Sequence, residues 1–127
     1  MAFLLLLLAV TTWAAEPVTD GGAPVKRGRS IAQVKLLYFH ASWCSSCKRL
    51  EAGRVLERLH ELEPALVIDR VDVDTQVPLL DRYGVTQTPT LLLVDADGFP
   101  LGKVAIDLDR PDETLGRAQR LVKKMVK

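Results

Sequence analysis

The 127 residues contain two cysteines, two methionines and two histidines. Two cysteines are too few for the disulfide scaffold of a small secreted domain, so the fold must be held by an apolar core. Charge of one sign is also lacking: 17 basic residues against 16 acidic leave a net charge of +1. Nucleic acid is thereby excluded as the main partner, because phosphate binding needs a clustered basic surface. The N-terminal apolar run, unbroken from Phe3 to Val10, falls short of the roughly 20 residues that span a bilayer. What is present is ordinary for a globular chain, with 48% hydrophobic and 26% charged residues, a balance that excludes disorder. A single domain of about 110 residues buries about two thirds of its unfolded surface, enough for a core without staples.

All the charged side chains lie beyond Ala15. The uncharged run and the Thr11-Thr12-Trp13-Ala14-Ala15 stretch after it fit a secretory signal, which needs about 7 to 15 apolar residues and small side chains before the cut. Residues 1–15 are expected to be a signal peptide, cleaved after Ala14 or Ala15, that sends the chain to the periplasm or the exterior. The terminal amine is the only positive charge ahead of the run, and the competing reading is a buried N-terminal segment of a cytosolic protein. Residues 16–29, rich in Gly, Pro and charge and without apolar periodicity, are expected to be a flexible tether, with the folded domain over 30–127.

Within that domain the apolar periods alternate. Val34 to Phe39 is short, apolar and rich in strand formers. From Cys44 the period lengthens, and Leu50, Val55, Leu56, Leu59 and Leu62 mark one face of a single long helix that Pro64 ends. Leu66 to Val73 alternates as a second strand, and a short helical segment from near Thr75 stops at Gly84. Thr90 to Val94 and Leu101 to Ile106 are strands joined by a hairpin turn at Asp97-Gly98. After Pro111, Leu115, Ala118, Val122 and Met125 trace an amphipathic terminal helix whose Lys123, Lys124 and Lys127 suit its negative end. Strands alternating with helices and closed by a hairpin predict an α/β fold: a central mixed sheet of about four strands flanked by helices.

The two cysteines fall together, in Trp43-Cys44-Ser45-Ser46-Cys47-Lys48, where the first strand meets the first long helix. Thiols three positions apart on a first helical turn are close enough to form a disulfide with little rearrangement. The free N–H groups and positive end of the helix favour the Cys44 thiolate, the form that attacks a disulfide. Ser45, Ser46 and the neighbouring backbone are candidate donors to it, and Lys48 adds positive charge. Cys47, deeper in the helix, is placed to resolve a mixed disulfide. A loop closed by two intervening residues constrains an unfolded chain little, which argues against a merely structural bond.

Trp-Cys-x-x-Cys-Lys after an apolar strand, Val71-Asp72-Val73-Asp74 downstream, and Thr88-Pro89 opening the next strand together resemble the thioredoxin superfamily. Among its branches the chain is similar to the C-terminal domain of DsbD-type thiol:disulfide interchange proteins and to small periplasmic thioredoxins. The resemblance implies a thioredoxin-like fold and a protein-disulfide oxidoreductase. It further implies a cis bond before Pro89, with Thr88 and Pro89 as the substrate-contacting loop. Trp43, a large ring immediately before the nucleophile at a strand end, is read as a partly exposed flank of the substrate groove, against the plainer reading of a core aromatic. The redox-active Cys44–Cys47 disulfide would carry the electrons without another cofactor. Protein thiols or disulfides are the implied partners, with a membrane electron donor of the DsbD type recharging a reductase or electron relay.

Two departures stand out. Thioredoxins place a buried Asp six residues before the first cysteine, where this chain has Tyr38, and the position pairing with it on the next strand is Arg70. Their Gly-Pro between the cysteines is Ser45-Ser46 here. His40 is a candidate for the missing proton transfer, against the plainer reading of a histidine packed under Trp43. Zinc would need two ligands beyond the cysteines, and His60 lies about four turns along the expected helix, so no metal site is expected. A thioredoxin-like copper carrier or a redox-inert interaction module is the alternative reading, although Met1 and Met125 are both remote from the cysteines. Asp72 and Asp74 read as solvated residues at a strand end.

Overall fold

A computed structural model describes residues 29–126. The expected signal peptide and nearly all of the expected tether lie outside the described residues. A 3₁₀ turn, Ile31–Gln33, leads into β1 (Val34–His40), followed by α1 (Ser45–Ala52), α2 (Val55–Leu62), β2 (Val67–Asp72), α3 (Val77–Tyr83), β3 (Thr90–Asp95), β4 (Pro100–Val104) and α4 (Pro111–Met125). The four strands form one sheet in the order β2-β1-β3-β4. β1 runs parallel to β2 and antiparallel to β3, and β3 is antiparallel to β4.

The sheet is covered on both faces because successive β1 side chains point opposite ways. Tyr38 points toward α1, and its hydroxyl lies 3.5 Å from the Cys47 carbonyl oxygen. Phe39 points the other way and meets Tyr83 of α3 edge-on, with ring centroids 6.3 Å apart. Leu36, Leu91 and Leu93, all fully buried, fill the layer beneath the α1/α2/α4 side, and Leu59, Leu115, Ala118 and Val122 close it from above. The terminal helix thus buries three of the four residues whose spacing marked it, with Met125 half-buried at its end. Asp112 and Glu113 in its first turn and Lys123 and Lys124 in its last match the helix dipole.

The expected single long helix is not observed. It is broken into α1 and α2 at Gly53-Arg54, where Arg54 adopts a left-handed φ of 54°. At the break, Gly53 packs directly on Pro111, the first residue of α4, leaving no space for a side chain. The redirected α2 buries Val55, Leu56 and Leu59 but leaves Leu62 48% exposed, contrary to the apolar face expected for an unbroken helix. The Asp97-Gly98 turn forms as expected. Gly98 takes φ 86°, a region an L side chain rarely enters, and Asp95 Oδ1 accepts the amides of Asp97 and Phe99, each at 2.9 Å.

Candidate redox site

β1 delivers the chain to the site. After His40 it leaves the sheet through a turn, in which the Cys44 amide bonds the Ala41 carbonyl, and enters α1 with Cys44 as N-cap. An N-cap residue has extended backbone and offers a side-chain acceptor to an orphan amide of the first turn. Here that acceptor is sulfur: the Cys47 N–H donates to Cys44 Sγ at 3.0 Å. The two cysteines are joined as a disulfide with Cα atoms 5.2 Å apart, inside the usual range. Both are buried, Cys47 at 1% exposure.

Register brings the remaining residues to the same end of the sheet. Thr90, the first residue of β3, pairs with Phe39 near the end of β1, so the Thr88-Pro89 loop enters the sheet at the end where the cysteine turn leaves it. The Thr88–Pro89 bond is cis, as the resemblance implied. Thr90 Oγ1 closes the loop by donating to the Gln87 carbonyl at 2.7 Å. Because β2 is parallel to β1, its end at Asp72 also falls here, paired with His40. Trp43 projects from the turn with 68% of its surface exposed, and its indole N–H donates to Asp74 Oδ2 at 3.0 Å. Asp74 is fixed in turn by its own amide, which donates to Asp72 Oδ1 at 2.9 Å. The solvated pair of the sequence reading therefore anchors the exposed indole. No local pattern reports that contact, since its partners are 31 residues apart.

Ser45 and Lys48 lie exposed on α1, and Ser46 is half-buried. The donor on the Cys44 sulfur is the Cys47 amide. His40 is half-buried and stacks on Tyr38, with centroids 5.2 Å apart and planes 22° from parallel. Tyr38 itself is fully buried and pairs in register with Arg70, whose guanidinium carbon sits 5.6 Å from the centroid of its ring. Arg70 also bonds Glu51 at 2.9 Å and approaches Glu57 at 3.7 Å. Burial, and next the Glu51 carboxylate beside it, push the Tyr38 hydroxyl well above the ordinary tyrosine range, so it stays protonated. Glu51 and Glu57 went unread in the sequence, where they look like solvated helix positions. Among the described residues, no group of three or more His, Cys, Asp or Glu side chains converges as a metal site would require.

A disulfide capping a helix start, beside a cis-proline loop at the end of a four-stranded mixed sheet, defines the class: a thioredoxin-fold redox protein. Residues 28–114 match the thioredoxin family model, and the chain belongs to the thioredoxin family. It is 39% identical over 59 residues to a putative thioredoxin 2 of Streptomyces coelicolor, covering 46% of this chain and 42% of the relative. To a thioredoxin of Chlamydia caviae it is 38% identical over 69 residues, covering 54% and 65% respectively. The chain thus spans less than two thirds of the length of these relatives. Among solved structures, thioredoxin from Trypanosoma brucei brucei superposes with a TM-score of 0.59 at 25% identity, covering 72% of this chain and 77% of that one.

Proposed function

We propose that this chain is a thiol:disulfide oxidoreductase that exchanges disulfides with protein substrates through Cys44 and Cys47, working as a reductase or electron relay. The observation that carries this reading is the Cys47 amide donating to Cys44 Sγ at 3.0 Å at the positive end of α1. In the reduced protein the same amide and helix end stabilise a Cys44 thiolate, making Cys44 the nucleophile. Its attack on a substrate disulfide forms a mixed disulfide and releases one substrate thiolate. Cys47 then attacks Cys44, releasing the second and restoring the observed bond. The dithiol carries both electrons, so the reaction calls for no other cofactor. Trp43, Thr88 and Pro89, at one end of the sheet, form the surface on which the substrate chain rests.

Export to the periplasm or exterior, with 1–15 as a removable signal and 16–29 as a tether, together with recharging by a membrane donor of the DsbD type, completes the proposal. It is supported by the uncharged N-terminal run and by the need of any reductase in an oxidising compartment for an electron source. The test is insulin reduction by wild type, Cys44→Ser and Cys47→Ser, alongside equilibration with glutathione. Both serine variants should lose turnover, Cys47→Ser should trap the mixed disulfide, and the potential should lie near thioredoxin's. Full turnover in both variants would refute the assignment, and a potential near DsbA's would reverse the direction.

A further inference from the structure

Cys47 poses a problem that the exchange scheme leaves open. To attack Cys44 it must lose a proton, yet it is only 1% exposed, and a buried thiol resists ionisation. The hydroxyl of Tyr38 lies 3.5 Å from the Cys47 carbonyl oxygen, but it is held protonated and is a poor acceptor. The next group is Glu51. It stands four residues after Cys47 on α1, so the two side chains share a face with Cβ atoms about 6 Å apart, within reach of a carboxylate or of one bridging water. Arg70 holds it at 2.9 Å while also facing Glu57, and the Tyr38 hydroxyl lies against it. Unlike Cys47, the Glu51 side chain is 39% exposed, so a proton arriving there has a path to water.

We infer that the Glu51 carboxylate is the proton acceptor for Cys47 when the mixed disulfide is resolved, with Tyr38 and Arg70 as positioning residues. The inference rests on the exchange reading above. In the step, the Cys47 sulfur bonds to the Cys44 sulfur, the Cys44–substrate S–S bond breaks, and the Cys47 proton passes to Glu51. The electron pair leaves on the substrate sulfur, which takes its proton from water. The cysteine pair is oxidised and the substrate reduced, with no further reactant. The charged and titratable groups around Glu51 are Cys47 and Lys48 on α1, Tyr38 and His40 on β1, Arg70 on β2 and Glu57 on α2.

The full-length reduced protein is mixed with dithiobis(nitrobenzoate), which releases one coloured thiolate on attack by Cys44 and a second on resolution by Cys47. The first phase tests the exchange reading; the second tests Glu51. With an internal base, the second-phase rate of wild type is flat between about pH 6 and pH 8, whereas attack by a pre-formed thiolate falls about tenfold per unit below the thiol pKa. Glu51→Gln should convert the flat profile to the steep one and slow resolution about a hundredfold at its lower end, the smaller end of a positioned base's contribution. Glu51→Asp should keep the flat profile at a reduced rate, and it decides the question if the amide variant does not fold. A Glu51→Gln profile superimposing on wild type, an Asp variant unchanged in rate, or a slope appearing in His40→Phe and not in Glu51→Gln would overturn the inference.

Discussion

Replacing Gly53 by alanine sets two physical effects against each other. Gly53 ends α1, its amide bonding the Arg49 and Leu50 carbonyls at 3.3 and 3.2 Å, and its φ of −77° is open to any residue. Conformational preference alone would favour alanine over glycine by up to about 1 kcal/mol. The packing opposes it, because an added Cβ would sit 2.8 Å from Pro111 Cβ and 2.9 Å from its Cγ, where carbon atoms normally stand about 3.5–4.0 Å apart. The proline ring cannot swing aside, so α1 and α4 must separate by several tenths of an ångström, an overpacking that costs about 1–3 kcal/mol. The expected net effect is a loss of about 1–2 kcal/mol, or a fall in melting temperature of about 4–8 °C per kcal/mol for a domain of this size. Urea denaturation of the oxidised protein measures it, and a cycle with Pro111→Gly isolates the contact. The double variant should recover about 1 kcal/mol relative to the sum of the single changes. A Gly53→Ala protein as stable as wild type or more so, or a cycle without coupling, would refute the steric account of the glycine at position 53.

Two further outcomes follow from the core. The Tyr38 hydroxyl is pushed above its ordinary value, so the folded state holds that proton more tightly than the unfolded chain does. Its contribution to stability is fully present below about pH 10, the unfolded value, and is lost as pH rises beyond it. Tyr38→Phe should remove that alkaline fall from a denaturation series, and an unchanged fall would locate its source elsewhere. Leu59, fully buried on α2, should cost about 2–5 kcal/mol when cut to alanine, read as a drop in denaturation midpoint at unchanged slope. A loss below about 1 kcal/mol would mean that the α2 face repacks.

The chemistry at Cys44 and Cys47 was legible in sequence because it is local. Two cysteines at a fixed spacing, following an apolar strand, already place a thiol pair on a helix start. The Asp97-Gly98 turn was legible for the same reason, since Gly98 alone accepts the φ that the turn requires. The in-register pairing of Tyr38 with Arg70 also agreed with what the resemblance implied. The close approach at Gly53 was not legible, because its partner, Pro111, is remote in the chain and meets it only by packing. The roles of Glu51 and Asp74 were hidden on similar grounds, Asp74 reading only as a solvated strand-end residue. A carboxylate on an apparently solvated position gains its meaning from what stands opposite, Arg70 in one case and the Trp43 indole in the other.

The amino-acid sequence by itself determined the alternation of strands and helices, apart from the break between α1 and α2, and the pair of sulfurs that begins α1, since each depends on neighbours along the chain. Tertiary structure alone decided that Gly53 meets Pro111 and that Arg70 faces Glu51. It also decided what holds the exposed tryptophan at the mouth of the site. Those outcomes depend on contacts between distant segments, whose distances and exclusions exist only once the sheet has brought the segments together.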